Sequence, residues 1–136
     1  ASEIGRKYSI NSCTDITGFG FMGHLYEMAS GSGLSACIHY NNIRVIEGAE
    51  EFAMMGIIPQ GAYRNRKYLE NKYLFNDGME EYKKDILFDP QTSGGLLLSV
   101  AKDDAQMLME ELKSIKTPCS IVGEFTAKGD YYIYVD

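Results

Sequence analysis

The sequence predicts one domain in which α-helices and β-strands are mixed, and three observations carry this. LSACIHY, residues 34–40, alternates apolar and polar side chains with the period of two that marks a strand with one buried face. Ala105, Leu108, Met109, Leu112 and Ile115 recur at helical spacing. From Leu96 to the end the pattern reads strand, helix, strand, strand.

Each element is justified in turn. Residues 1–8 are compatible with a helix end, and INSC, residues 10–13, with a short strand leading to Asp15. Phe21, Met22, Leu25, Met28 and Ala29 then follow helical spacing, with Thr17 as the expected N-cap and Gly31–Gly33 as the expected stop. The strand at 34–40 places Leu34, Ala36, Ile38 and Tyr40 on its buried side, with Ser35, Cys37 and His39 opposite. A second helix carries Val45, Ile46, Ala49, Phe52 and Ala53 on one face, and Gly56 and Pro59 bracket its end. Residues 59–79 show no clean period and read as a long loop, with room for a short helix. Ile86–Phe88 fits a helix end or a strand, and DPQTSGG, residues 89–95, is a loop by composition. LLLSVA is a continuous apolar run, the pattern of a strand buried on both faces. In the helix that follows, Asp103 and Gln106 have capping-box spacing, and Pro118 lies beyond its end. CSIVGEF and YYIYV are strands, and AKGD between them reads as a hairpin turn.

Bulk properties narrow the functional class. A chain of 136 residues is long enough for one ordinary domain. Hydrophobic content of 45% and charged content of 24% belong to a soluble globular protein. A net charge of −6 argues against a general nucleic-acid surface, which needs a basic stripe. No apolar run approaches the length of a membrane span, and ASEIGRKYSI lacks the apolar core of a signal peptide, so neither membrane insertion nor export is expected. The first residue is Ala1, which fits either an excised piece or a trimmed methionine. Cys13, Cys37 and Cys119 are odd in number and widely spaced; this disfavours a zinc site or a disulfide framework and points to a reducing, cytoplasmic setting.

Two segments carry candidate chemistry. DITGFGFMGHLYEMA, Asp15–Ala29, sets a carboxylate before two glycines and a helix start. If the helix begins near Gly18, its first N–H groups lack helical partners and form an anion site. Gly18 and Gly20 would let a phosphate approach the backbone, and Asp15 is a hard oxygen ligand suited to Mg²⁺. The competing reading makes Asp15 and Thr17 helix caps and the glycines aids to close packing. A Walker A loop is absent, since no GxxxxGK[ST] occurs. In DPQTSGG, Thr92 and Ser93 offer hydroxyls while Gly94 and Gly95 free the backbone to form an anion-binding concavity; the competing reading is a plain turn into a strand. His24, at the edge of its helix's apolar face, and Cys13, with no activating neighbour in sequence, read as structural and as a small buried residue. Arg64 and Asn65 fit either ligand contact or a loop hydrogen bond.

Three stretches in order, CTDITGFGFMGHLYEMA, IEGAEEFAMMGIIPQGAYRN and FDPQTSGGLLLSV, resemble the C-terminal half of the selenide, water dikinase (selenophosphate synthetase) family. The resemblance covers most of the chain. It implies an α+β fold of the aminoimidazole ribonucleotide synthetase superfamily, C-terminal type, with helices packed on a mixed, partly ferredoxin-like sheet. It implies that residues 1–136 are the C-terminal domain of a larger two-domain enzyme. That enzyme makes selenophosphate from selenide and ATP, releases AMP and phosphate, and uses Mg²⁺. It also implies Asp15 as a metal ligand, with Gly18 and Gly20 shaping the same edge; Thr17, Thr92, Ser93, Gly94 and Gly95 join them as candidate nucleotide contacts. The family's glycine-rich N-terminal segment, with its reactive cysteine or selenocysteine and its lysine, has no counterpart here, so no catalytic residue is expected within the chain. The implied partners are the chain's own N-terminal domain, ATP and selenide, and a second copy in a homodimer. Phe21 and Met22 stand where leucines are common, as a neutral core exchange. The alternatives are another ATP-dependent enzyme of the superfamily and a non-catalytic binding or assembly module.

Overall fold

A computed structural model describes residues 7–136. The helix end expected over residues 1–8 lies outside the described residues except for Lys7 and Tyr8, which form a turn and a bend. Two sheets are present. Strand β1 (Ile10–Asp15) pairs antiparallel with β4 (Leu96–Val100), with a register shift between Ile10 and Ser12. The second sheet has the order β3-β6-β2-β5, from β2 (Leu34–Ile38), β3 (Tyr73–Phe75), β5 (Gly123–Ala127) and β6 (Ile133–Val135). It is mixed: β2 runs parallel to β6 and antiparallel to β5, and β3 runs parallel to β6.

The sheet's inner row is set by register. Ala36 lies opposite Ile133 and Ile38 opposite Val135, and all four are buried. Helix α1 (Gly20–Ser32) lays Met22 and Leu25 in the same core, and Gly33 ends it in the left-handed conformation at φ 66°. Helix α3 (Gln60–Tyr68) contributes Ala62, and the two residues that follow α3 and α4 (Glu81–Leu87) contribute Leu69 and Phe88. Tyr73 and Phe75 close on the Phe88 ring at centroid distances of 5.2 and 6.1 Å. Helix α2 (Ala49–Met54) packs along α4. Helix α5 (Lys102–Ser114) buries Leu108 and Leu112 and is tied to the chain's start by the Tyr8 hydroxyl, which donates to Glu111 at 2.7 Å. No helix among the described residues is long and apolar enough to cross a membrane.

Several expectations are corrected. Residues 59–79 hold the short helix allowed for, α3, and also the strand β3 in place of a long loop; Ala62, Asn65 and Leu69 make a buried stripe that the surrounding polar residues mask in the sequence. The helix expected from Val45 starts only at Ala49, after Gly48 at φ 83°, and Ala53 is its one buried residue. On β2, Leu34 is exposed and Ser35 is fully buried, which breaks the expected alternation. β4 has a single partner strand, so Leu96 is exposed and only Leu97 is buried, against the two buried faces expected. Helix α5 begins one residue before Asp103, and its capping box does not form. Asp104 instead accepts the Ser9 N–H at 2.8 Å, and Gln106 donates to Glu110 at 2.9 Å.

AKGD is not a hairpin. β5 and β6 pair with opposite edges of β2, so residues 128–132 carry the chain across the end of that strand. Ser35 explains the crossing: its hydroxyl donates to Tyr131 O at 2.6 Å and accepts from Gly129 N at 2.9 Å. A buried hydroxyl needs such partners, and here they are the backbone of the crossing itself.

Candidate functional site

The two glycine-bearing segments form one edge. Strand pairing sets Asp15 opposite Leu96, the residue after Gly95, so the ends of DIT and SGG lie side by side. The contact then continues beyond the strands. Ile16 N–H donates to Gly95 O at 2.9 Å, Gly94 N–H to Ile16 O at 3.1 Å, and Gln91 N–H to Thr17 O at 3.0 Å. Thr17 O also accepts Gly20 N–H at 3.0 Å, which closes the turn that launches α1. Asn65, buried on α3, spans the back of the edge: its Nδ2 donates to Gly18 O and to Phe88 O, both at 2.9 Å. Backbone groups buried in loops need partners as strands and helices do, and this amide supplies two of them.

The residues singled out from sequence divide into an open and a closed set. Asp15 is exposed, and its carboxylate has no hydrogen-bond or ion-pair partner among the described residues. Gly18, Thr92, Ser93 and Gly95 are also exposed, and a Cβ built on Gly18 or Gly95 would meet no atom within 4 Å. Gly20 and Gly94 face their own chain. At Gly20, with φ 69°, a Cβ would lie 2.8 Å from the Phe88 carbonyl and 2.9 Å from Asp89 O; at Gly94 it would lie 2.8 Å from Ile16 O. Those two glycines let the segments touch, as the competing packing reading held for the glycines of the first segment.

Thr17 does not cap α1. The helix begins at Gly20 rather than near Gly18, Phe19 precedes it, and no side chain caps it. The Thr17 hydroxyl lies instead 3.1 Å from His24 Nε2, and His24 Nδ1 lies 3.1 Å from Glu27 Oε2. A carboxylate can only accept, so Nδ1 donates to Glu27, and Nε2 shares a hydrogen bond with the Thr17 hydroxyl. His24 is buried and holds the turn, in keeping with the structural reading. Cys13 is exposed, contrary to expectation, because β1 is an edge strand with one partner.

Asp89 is a second carboxylate at the edge. It is half-buried, and burial pushes its carboxyl above the ordinary value. No group of three or more His, Cys, Asp or Glu side chains among the described residues could hold a metal. That donor set does not make an all-protein cage, but it fits Mg²⁺, which is usually held by one or two carboxylates together with phosphates. A hollow of about 260 Å³ lies elsewhere, over Cys37, Leu74 and Tyr134. Strand residues line it and neither glycine-bearing segment reaches it, so the edge is the better candidate.

Asn65 follows the loop hydrogen-bond alternative read from sequence, donating to Gly18 O and Phe88 O, whereas the parts played by Gln91 and Asp89 were missed. Asn65 had a usable signal: it falls between Ala62 and Leu69 at helical spacing, a polar residue on a buried stripe. Gln91 acts through its backbone N–H and the burial of Asp89 comes from tertiary packing, so nothing in the sequence pattern marks either.

Comparison with known proteins agrees with this architecture. The model of the family described as AIR synthase related protein, C-terminal domain, matches residues 1–136. The chain is 49% identical over 136 residues to selenide, water dikinase of Caldanaerobacter subterraneus subsp. tengcongensis, covering 99% of this chain and 39% of that relative. It is 45% identical over 140 residues to selenide, water dikinase of Treponema denticola, with the same two coverages of 99% and 39%. Among solved structures, thiamine-monophosphate kinase from Stenotrophomonas maltophilia K279a superposes with a TM-score of 0.57 at 16% identity, over 97% of this chain and 33% of that one. The chain therefore spans well under half the length of these relatives.

Proposed function

The chain belongs to the AIR synthase related protein C-terminal domain family, and from that premise we propose that it is the C-terminal domain of an ATP-dependent selenide, water dikinase. The full enzyme would make selenophosphate from selenide and ATP with release of AMP and phosphate. The observation that carries the reading is the edge itself: two glycine-bearing segments far apart in sequence, bonded through Ile16, Thr17, Gly94 and Gly95, with an exposed Asp15 carboxylate beside them that has no partner among the described residues. The similarity to dikinases over nearly all of this chain supports it.

Asp15 would hold Mg²⁺, and the ion, when bound, would offset the negative charge of the nucleotide phosphates. Positioning and charge neutralisation are the main work of phosphoryl transfer. Gly18 and Gly95 leave backbone open, and Thr92 and Ser93 offer hydroxyl donors. Gly20, Gly94 and Asn65 keep this surface in shape without themselves facing a ligand. The reactive cysteine or selenocysteine and the lysine would come from the N-terminal part of the polypeptide. We further propose a cytoplasmic homodimer as the working form.

Asp15→Asn in the full-length enzyme tests the reading. The substitution keeps size and removes the charge, so Mg²⁺-dependent AMP formation should fall by about 100-fold or more, while the thermal midpoint stays within a degree or two. Wild-type turnover in that variant would remove Asp15 from the site.

A further inference from the structure

The fold leaves a belt of exposed apolar side chains uncovered on the elements that flank the edge. On α2 and the connection after it, Phe52, Met54, Met55 and Ile57 are 57, 60, 71 and 60% exposed. They are not a loose tail. Ile57 N–H returns to Phe52 O at 3.0 Å and Gly56 N–H to Ala53 O at 2.9 Å, so the four side chains are held on one short, hydrogen-bonded corner. The corner leads through Pro59 into α3, where Gly61 sits against Pro90; a Cβ there would lie 2.8 Å from the proline ring. Pro90 belongs to the DPQTSGG segment, so the helix that the corner leads into touches the edge at that point. On the other flank Tyr68 of α3 is exposed and stacks on exposed Phe19, the residue between Gly18 and Gly20, at a centroid distance of 6.3 Å.

Scattered exposed apolar residues are normal, but a run of large ones on an ordered corner beside a candidate site marks a contact surface. The occupant follows from length. Relatives similar over 99% of this chain are more than twice its length, and the chain accounts for only 39% of each. We infer that the Phe52–Ile57 corner is the seat on which the preceding part of the same polypeptide docks, closing over the Asp15 edge from the Pro90 side. The inference rests on the reading that the chain is part of a longer enzyme, and it adds which surface joins the parts. Contacts between domains of one chain commonly bury several hundred Å² or more and are partly apolar, which suits a belt of this composition.

Methionine oxidation reads this surface without any need for activity. In the native full-length protein, without nucleotide or selenide, hydroxyl-radical footprinting should find Met54 and Met55 reacting several-fold more slowly than in the urea-unfolded chain. Their rates should approach that of Met22, which is wholly buried here. Oxidation of Met54 and Met55 at the unfolded rate overturns the inference, as does a natural polypeptide with no preceding segment. Protection that tracks the dimer fraction on dilution, followed by sedimentation, also overturns it and gives the seat to a second copy. Phe52→Asp with Met55→Asp, both at exposed positions, should return Met54 to its unfolded rate while Met22 stays protected; retained Met54 protection counts against the seat. Protection without selenide-dependent AMP formation would leave the docking surface standing and sink the dikinase reading; turnover without protection would do the reverse.

Discussion

Asn65 ties the edge together from behind, because one amide group donates to carbonyls of two segments, Gly18 O and Phe88 O. Replacing it with aspartate keeps the shape and removes both donors. Asn65→Asp should therefore destabilise the protein by about 2–4 kcal/mol, measured by urea unfolding, and should lower turnover because Gly18 loses its anchor. Asp89 has the opposite balance. Its folded-state pKa is raised by burial, so between the unfolded and folded values the native protein keeps a proton that the unfolded chain has lost. Stability due to this group is greatest below that window and falls as pH rises through it. Asp89→Asn should raise the thermal midpoint at pH 7 and leave it nearly unchanged at a pH below the ordinary aspartate value, a difference that calorimetry at the two pH values would detect. Asp15 and the two flanking segments stood out in the sequence because a carboxylate and glycines at a helix start have few cheap explanations. Asn65 was a candidate with two readings, and only its partners in distant segments of the chain decide for the hydrogen-bonding one.

At the scale of elements, the turn between β1 and α1 separates two kinds of glycine. Gly20→Ala forces a side chain into the Phe88–Asp89 backbone at a positive φ and should cost at least about 2 kcal/mol. Gly18→Ala meets open space and should change stability by less than about 0.5 kcal/mol. If Gly18 faces phosphate, that same variant should raise the KM for ATP. Denaturant midpoints and steady-state kinetics on the pair separate packing from binding, and a Gly18→Ala enzyme with unchanged KM would remove Gly18 from the nucleotide edge. Helix α1 was legible from its helical spacing, β2 from an alternation that Ser35 breaks in detail, and β4 from a continuous apolar run. α3 and β3 were not, since their buried positions are few and the residues between them are polar. The β5–β6 connection misled for a different reason. A short polar link between two strands favours a hairpin locally, yet β2 already offers two free edges, and Ser35 fixes the crossing between them.

At the scale of the molecule, an edge with one or two carboxylates and an uncovered apolar corner is an incomplete pocket. The present chain by itself, mixed with ATP, selenide and Mg²⁺, should give no sustained AMP formation when followed by phosphorus resonance. Continuous turnover would contradict the division of the site proposed above. The net charge of −6 adds to the argument, since an acidic surface offers little to hold nucleotide phosphates without a cation or basic groups from outside.

The sequence by itself determined the mixed α and β character, the family resemblance and the two segments that bear the candidate chemistry, because periodicity, glycine placement and a lone carboxylate are local properties. Tertiary structure alone decided that those segments share one edge, that Gly20 and Gly94 serve packing while Gly18 and Gly95 stay open, and that Asn65 holds them. Those facts depend on strand register and on hydrogen bonds between residues distant along the chain, and no local pattern records such pairings.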